Sequence, residues 1–393
     1  MISAQSLYPQ LDQIRNRSLF IGLFALALCA GGWFFNPAQF FYSYLVAYLF
    51  WIGIPLGCFG IVMLHHLVGG RWGFMIQRLL ESGTRTFPLM ALLFLPLFFG
   101  MGDLYVWARP EVMASDEILR QKGAYLNIPF FVLRTIVYFS VWICVGYFLN
   151  RWSLEQDRTA ESAFTRRLQS LSGPGLVLYG LTVTFSSIDW IMSLEPRWSS
   201  TIYGMIFMVS HALVALAFVI AVVFLLSSIG ALSPVASPDR FQDLGNLLLA
   251  FVMIWAYMAF SQFLIVWVEN LAEEIPWYLH RTIGGWQGIA LALIAFQFAL
   301  PFLLLLSRAT KRRAGILAIV ALGVIFMHWV DLFWMVAPAF YPAAFHLHWL
   351  DIAALVGIGG VWLAAFLWYL KDHSLLPLHD PRFANMLEQT QEA

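Results

Sequence analysis

Residues 40–67 read FFYSYLVAYLFWIGIPLGCFGIVMLHHL and contain no Asp, Glu, Lys or Arg. About 20 mostly apolar residues in a helix are enough to cross the roughly 30 Å hydrocarbon layer of a bilayer. This stretch therefore predicts a transmembrane helix. The whole chain agrees, because 61% of its 393 residues are hydrophobic and 11% are charged, against about 25% charged in soluble domains. We predict an integral membrane protein.

Nine further segments satisfy the same requirement. The first of them follows Arg15 and Arg17 as a signal peptide would, but it ends in GWFF without a small-residue cleavage site. The ten predicted spans are residues 19–35, 40–67, 87–107, 129–149, 175–191, 201–226, 244–268, 286–306, 315–336 and 349–370.

The basic residues predict the orientation of these spans. Of the 22 Lys and Arg residues, 16 fall on the side of the two termini, five fall on the other side, and Arg134 lies within a span. Because Lys and Arg concentrate in cytoplasmic loops, both termini, residues 1–18 and 371–393, are predicted to be cytoplasmic. We therefore expect a multi-pass membrane protein.

Charge and cysteine content limit the functions open to this chain. The formal net charge is zero, so bulk electrostatics do not indicate a nucleic-acid partner. Cys29, Cys58 and Cys144 are isolated within apolar runs, and neither a metal-binding CxxC nor a haem-attachment CxxCH motif occurs. The longest predicted connections, 108–128 and 150–172, are too short to fold alone. Covalent haem and iron–sulfur clusters are therefore expected on partner subunits only.

Ionisable residues within spans are costly and are read as functional by default. Asp103 and Asp189 are predicted just inside the outer face, and Arg134 enters from that face about 10 Å deep. Arg134 could therefore reach either carboxylate. These three residues are candidates for a functional site, with a structural ion pair as the alternative.

Two similar motifs lie at the outward ends of the last two spans. His328 precedes Asp331, and His348 precedes Asp351, each by three residues. This spacing places each pair on one helical face, where a carboxylate can help an imidazole to exchange protons near neutral pH. The alternative for the second pair is hydration at the headgroup level. Zinc binding by these four residues is disfavoured, because their spacing does not require it.

The remaining intramembrane histidines are His65, His66 and His211. His66 and His211 differ in predicted depth by roughly 18 Å, which disfavours a haem held by both. His211 can be a packing residue or part of a proton path. The complete candidate proton path comprises His65, His66, His211, Asp189, His328, Asp331, His348 and Asp351; no catalytic or metal-binding residue is assigned.

A weak internal repeat links the fifth and ninth spans. In both SIDWIMSLEP (187–196) and WVDLFWMVAP (329–338), an aspartate precedes a proline by seven residues. A parallel duplication of a four-helix unit would produce this spacing of spans. The predicted fold is all-α, with four-helix bundles at 40–191 and 201–336 and with the first and tenth helices peripheral, in one membrane domain.

Four segments carry a resemblance to a known family. They are FSSIDWIMSLEPRW (185–198), SQFLIVW (261–267), EEIPWY (273–278) and HWVD (328–331). The chain resembles the NrfD-like family of polysulfide reductase membrane subunits. Within it, the chain is most similar to the shorter such subunit of bacterial alternative complex III, a quinol:cytochrome c oxidoreductase.

The resemblance implies a subunit of a respiratory or photosynthetic electron-transport chain. Its implied partners are a larger homologous membrane subunit, periplasmic iron–sulfur and c-type cytochrome subunits with one or several haems, and membrane lipid. This chain would lack a redox cofactor of its own and would contribute assembly and a proton path. The implied location is a bacterial inner membrane. One alternative is that the chain binds and oxidises quinol or menaquinol itself, with a quinone pocket near Asp103, Arg134 and Asp189. The other is that it is a proton-coupled secondary transporter.

Overall fold

The computed structural model describes residues 8–232, 236–371, 374–377 and 380. Within these residues, all regular structure is helical, and ten helices are long and apolar enough to cross a membrane. They are α1 (Pro9–Phe35), α2 (Pro37–Val68), α3 (Gln77–Phe99), α4 (Ile128–Thr159), α5 (Ala163–Leu194), α6 (Tyr203–Ser228), α7 (Pro238–Glu269), α8 (Trp286–Leu306), α9 (Ala314–Ala339) and α10 (Trp349–Lys371). The predicted all-α, ten-span membrane fold is confirmed.

Short helices occupy several connections between the long ones. They are Arg71–Phe74, Met101–Leu104, Val106–Ala108, Pro110–Ser115, Glu117–Gln121, Lys122–Ala124, Ile275–His280 and Arg308–Arg312. The start of α1 and the end of α10 meet through an ion pair between Asp12 and Lys371. We call this end of the bundle the basic end and the other the opposite end.

Two predicted boundaries are wrong, and both errors occur where polar residues are helical. The third span is α3, Gln77–Phe99, rather than 87–107, because Gly100 follows its last turn. The predicted loop 150–172 is helical except for 160–162. Polar side chains of α4 lie in that region against the start of α3, where Ser153 donates a hydrogen bond to Glu81 (2.6 Å). The polar residues of this segment are therefore helical, and their polarity did not indicate a loop.

Helix α2 is the centre of the bundle. Asn36 caps its first turn by accepting a hydrogen bond from the backbone N–H of Gln39 (3.2 Å), and the helix ends before Gly69, whose φ is +71°. It contacts α1, α3, α5, α6, α9 and α10. In its most apolar window, 89% of the residues are buried, against 22% in α1, α7 and α8. The exposed apolar faces of those three helices suit contact with lipid or another membrane subunit.

Neighbouring helices follow the same order in the two predicted bundles. Helix α2 contacts α3 and α5, as α6 contacts α7 and α9; helix α4 contacts α3 and α5, as α8 contacts α7 and α9. Contacts between α2 and α6 join the two sets. This arrangement is compatible with a duplicated four-helix unit, and the division into 40–191 and 201–336 stays a prediction.

Glycines allow the closest helix contacts. A Cβ on Gly57 of α2 would lie 1.9 Å from the carbonyl oxygen of His211 in α6. A Cβ on Gly360 of α10 would lie 2.5 Å from the carbonyl oxygen of Ser18 in α1. Small residues at such positions let two helix backbones approach and gain dispersion contacts in a membrane.

Candidate functional site

Two histidines meet in the middle of the bundle. A Cβ placed on Gly53 of α2 would lie 3.6 Å from Nε2 of His211 in α6 and 3.7 Å from Nε2 of His328 in α9. His211 is 5% exposed and His328 is fully buried. Among the described residues, Nδ1 of His211 and both ring nitrogens of His328 have no hydrogen-bond partner. Since buried polar groups are normally satisfied, this central histidine pair (His211 and His328) needs a functional explanation.

Asp331 lies nearly one helical turn beyond His328, toward the opposite end. It is 4% exposed, and its carboxylate accepts a hydrogen bond from Nε1 of Trp255 in α7 (3.1 Å). No hydrogen bond joins it to His328 among the described residues. His328 and Asp331 are therefore neighbours on one helix but do not form the expected imidazole–carboxylate hydrogen bond. His328 lies beside Gly53 of α2, whereas Asp331 contacts Trp255 of α7.

The second His–Asp motif forms a helix cap instead. Asp351 accepts a hydrogen bond from the backbone N–H of His348 (2.7 Å), and Nδ1 of His348 accepts one from the N–H of Leu350 (3.2 Å). Ser43 of α2 also donates to Asp351 (2.6 Å). Asp351 is 5% exposed, so it is not the hydrated headgroup-level residue of the alternative prediction.

Arg134 and Asp189 form a buried two-point ion pair. Nε and a terminal nitrogen of Arg134 donate to the two carboxylate oxygens at 2.8 and 2.9 Å. Tyr138 donates a further hydrogen bond to Asp189 (2.6 Å), and the third guanidinium nitrogen donates to the carbonyl oxygen of Tyr125 (3.0 Å). Three of the five guanidinium N–H groups of Arg134 are therefore used within this site.

Asp103 does not join that pair. It lies on the short helix Met101–Leu104, beyond the end of α3, and it is half-buried. Among the described residues, no hydrogen bond or ion pair joins its carboxylate to Arg134, and the three-residue quinone pocket stays a prediction. The sequence placed Asp103 inside a span because the predicted third span starts ten residues and ends eight residues later than α3.

His65 and His66 lie at the basic end of α2. Both are fully buried, and the imidazole of His65 lies 5.3 Å from the ring of Trp72. Thirteen residues separate His66 from Gly53, which is about 20 Å along a helix. The terminal and central histidines are therefore at different levels, as the spacing predicts.

A buried cluster in α3 and α4 was missed by the sequence analysis. Arg78, assigned to a loop, is 3% exposed and pairs with Glu81 and Asp157. Glu81 is 2% exposed and also accepts hydrogen bonds from Gln77 (3.0 Å) and Ser153 (2.6 Å). The i, i+3 spacing of Arg78 and Glu81 was the available signal.

Arg281 was also assigned to a loop, yet it joins the segments that carry the family resemblance. It is 1% exposed, and it donates to Glu195 of the first segment (3.2 Å) and to the carbonyl oxygen of Met335 in α9 (2.6 Å). Its guanidinium lies 3.7 Å from the ring centre of Trp277. Burial lowers the pKa of Arg281, and the carboxylate of Glu195 offsets part of this effect.

Aromatic stacking strengthens the same junction. The rings of Trp198, in the first segment, and Trp277, in the third, are stacked with centroids 4.6 Å apart. Gln262 of the second segment donates to the hydroxyl of Tyr278 (3.4 Å). Segments distant in the sequence therefore meet at the opposite end of the bundle.

An unusual helix geometry marks one more polar residue. Residues Leu293–Ala299 of α8 form a π-helical turn, and Gln297 within it is fully buried. Neither polar atom of its side chain is hydrogen-bonded within the part of the chain that the structure describes. Such turns occur frequently at functional sites. No spacing of residues in the sequence predicts this π-helical turn or the burial of Gln297.

No protein-family model matches the chain, and no curated protein is significantly similar to it. The resemblance to the NrfD-like family therefore stays a prediction from the four segments.

Proposed function

We propose that this chain is an integral membrane subunit of a bacterial quinol:cytochrome c oxidoreductase of the alternative complex III type. It contributes to assembly and carries protons, while haem and iron–sulfur clusters belong to partner subunits. The resemblance of the four segments supports this proposal, and so does the meeting of the segments around Arg281. The observation that carries the proton role is the central histidine pair beside the buried Asp331, because three of its four ring nitrogens have no hydrogen-bond partner among the described residues.

The proposed path runs from the basic end to the opposite end. His65 and His66 are its entry, the central histidine pair is its middle, and Asp331, Asp189 and Asp351 lie toward its exit. Tyr179 lies between the entry and the middle of the path. Its hydroxyl oxygen would be 3.4 Å from a Cβ on Gly60, and Gly60 is about midway along α2 between His66 and Gly53. The remaining intervals of about 10 Å exceed one hydrogen bond, so water molecules complete the path.

The central pair is suited to proton transfer because an imidazole can accept a proton at one nitrogen and release one at the other. A fully hydrogen-bonded histidine would first have to break a contact. Oxidation of quinol at the partner subunit would bias the path by changing the charge near its exit. We propose that the exit lies on the periplasmic side, since the basic end matches the cytoplasmic side of the bilayer.

Quinone binding by this chain is the weaker proposal. Both carboxylate oxygens of Asp189 and three of the five guanidinium N–H groups of Arg134 already take part in hydrogen bonds, which leaves few polar groups for a quinone. A transporter role would need a substrate site near the membrane midplane. The central histidine pair lies near the middle of the bundle, so its position alone does not distinguish a transporter from an oxidoreductase subunit. Purification distinguishes them, because a transporter would purify alone and an oxidoreductase subunit would purify with its partner subunits.

Asp331→Asn tests the proton role, because asparagine removes the titratable group and keeps an oxygen for Trp255. In proteoliposomes of the intact complex, we expect proton transfer to slow by about 10²-fold, as after loss of a positioned acid–base group. The proton-to-electron ratio should fall while quinol oxidation persists.

The matched control is Glu111→Gln, which neutralises an exposed carboxylate at the opposite end. It should leave the ratio unchanged. An unchanged ratio in Asp331→Asn would remove the proton path and leave the assembly role.

A further inference from the structure

A groove at the basic end collects positive charge. It lies between α3, α4 and α10 and has a volume of about 530 Å³, which is within the usual range for ligand sites. Three arginines line it, Arg85, Arg151 and Arg158, and Glu155 is the acidic residue in its wall. The groove therefore favours an anionic occupant.

Arg151 and Arg158 keep donors available for a ligand. Arg151 is exposed and uses one terminal nitrogen in a hydrogen bond to Tyr147 (3.2 Å). The side chain of Arg158 is 75% exposed, and its terminal nitrogen lies 4.0 Å from a carboxylate oxygen of Glu155. An exposed ion pair with so long a separation contributes little, so Arg158 can still bind a ligand. A guanidinium presents five donors in a planar fork, which matches the oxygens of a phosphate.

Apolar residues continue the groove along the membrane-spanning part of α4. Ile143, Pro88 and Leu154 line its wall. Tyr147, also in the wall, is 55% exposed, and the adjacent Phe148 is 39% exposed. Arg151 lies about 12 Å along the helix axis from Ile143. An apolar surface that ends in exposed arginines and a tyrosine is the pattern of a membrane–water interface.

We propose that this groove binds an anionic phospholipid of the surrounding bilayer. Arg151 and Arg158 hold its phosphate, and an acyl chain lies along Ile143 and Pro88. Basic pockets between transmembrane helices bind anionic headgroups by the same chemistry. A lipid fits better than free phosphate, because the groove continues onto the lipid-facing surface of α4. The binding is independent of the function proposed above.

Native mass spectrometry of the purified full chain tests this site with two lipids, dioleoylphosphatidylglycerol and dioleoylphosphatidylcholine. The wild type should retain the anionic lipid in preference to the zwitterionic one. The double variant Arg151→Gln/Arg158→Gln should reduce retention of the anionic lipid by about tenfold, a difference of about 1.4 kcal/mol. Arg151→Gln alone should give an intermediate loss.

The control is Arg166→Gln/Arg167→Gln, which removes two exposed arginines from α5 at the same end. It should retain the anionic lipid as the wild type does. Equal losses in the two double variants, or equal retention of both lipids by the wild type, would overturn the proposal. Inorganic phosphate provides a further test. If it displaced the anionic lipid as effectively as added anionic lipid does, the proposal would be overturned, because the apolar wall would then contribute nothing to binding.

Discussion

At the scale of single residues, Arg134 differs from the exposed arginines because its partner is wholly buried. The side chains of Arg134 and Asp189 are 10% and 0% exposed. The exposed arginine chosen for comparison is Arg197, whose side chain is 68% exposed and which pairs with Asp116 at 2.6 Å. Removing one member of a buried pair leaves an uncompensated charge, which costs about 3–5 kcal/mol. An exposed pair contributes less than about 1 kcal/mol.

We therefore expect Arg134→Gln to lower the midpoint of thermal unfolding in detergent strongly, and Arg197→Gln to change it little. The measurement is thermal unfolding of each purified variant beside the wild type. Equal shifts in the two variants would contradict the structural role assigned to the Arg134–Asp189 pair.

The sequence predicted this pair only in part. Depth arguments placed Arg134 within reach of a carboxylate but did not choose between Asp103 and Asp189. The partners of Asp331 and His348 were not predictable, since a three-residue spacing fixes a helical face but not the neighbouring helix. Trp255 reaches Asp331 from α7, a contact between residues 76 positions apart.

At the scale of helices, close backbone contacts set the position of the central histidines. Gly57 lets α2 approach the backbone of α6 at His211. An added methyl group cannot fit 1.9 Å from a carbonyl oxygen, so the two helices would have to separate. Overpacking of this kind costs about 1–3 kcal/mol or more.

Gly57→Ala should therefore reduce the yield of folded protein and lower its midpoint of thermal unfolding. Gly323→Ala in α9 is the control, because a Cβ there meets no atom within 4 Å. We expect it to be neutral or slightly stabilising, since alanine favours a helix over glycine. A neutral Gly57→Ala would contradict the close α2–α6 contact.

The number of spans was predictable because length and hydropathy decide it. Their ends were not, since α4 and α5 continue as helices well beyond their apolar parts. Polar residues such as Ser153 and Asp157 are helical there because they bind the charged start of α3. Hydropathy cannot distinguish that arrangement from a loop.

At the scale of the whole molecule, charge and polarity divide the protein into two functional ends. The basic end carries the Arg78 cluster and the arginine-lined groove, while three of the four segments of the family resemblance meet at the opposite end beside Arg281. The central histidine pair lies between them. This division fits a subunit that takes up protons at one face and meets electron-carrying partners at the other.

The central claim is membership of a quinol-oxidising complex, and purification of the affinity-tagged full chain from its native membrane in mild detergent tests it most directly. We predict that c-type haem absorbance and iron–sulfur subunits co-elute with the chain, and that quinol:cytochrome c reductase activity follows the same peak. An unrelated tagged membrane protein is the control. A chain that elutes alone, without haem absorbance or reductase activity, would contradict the proposed function.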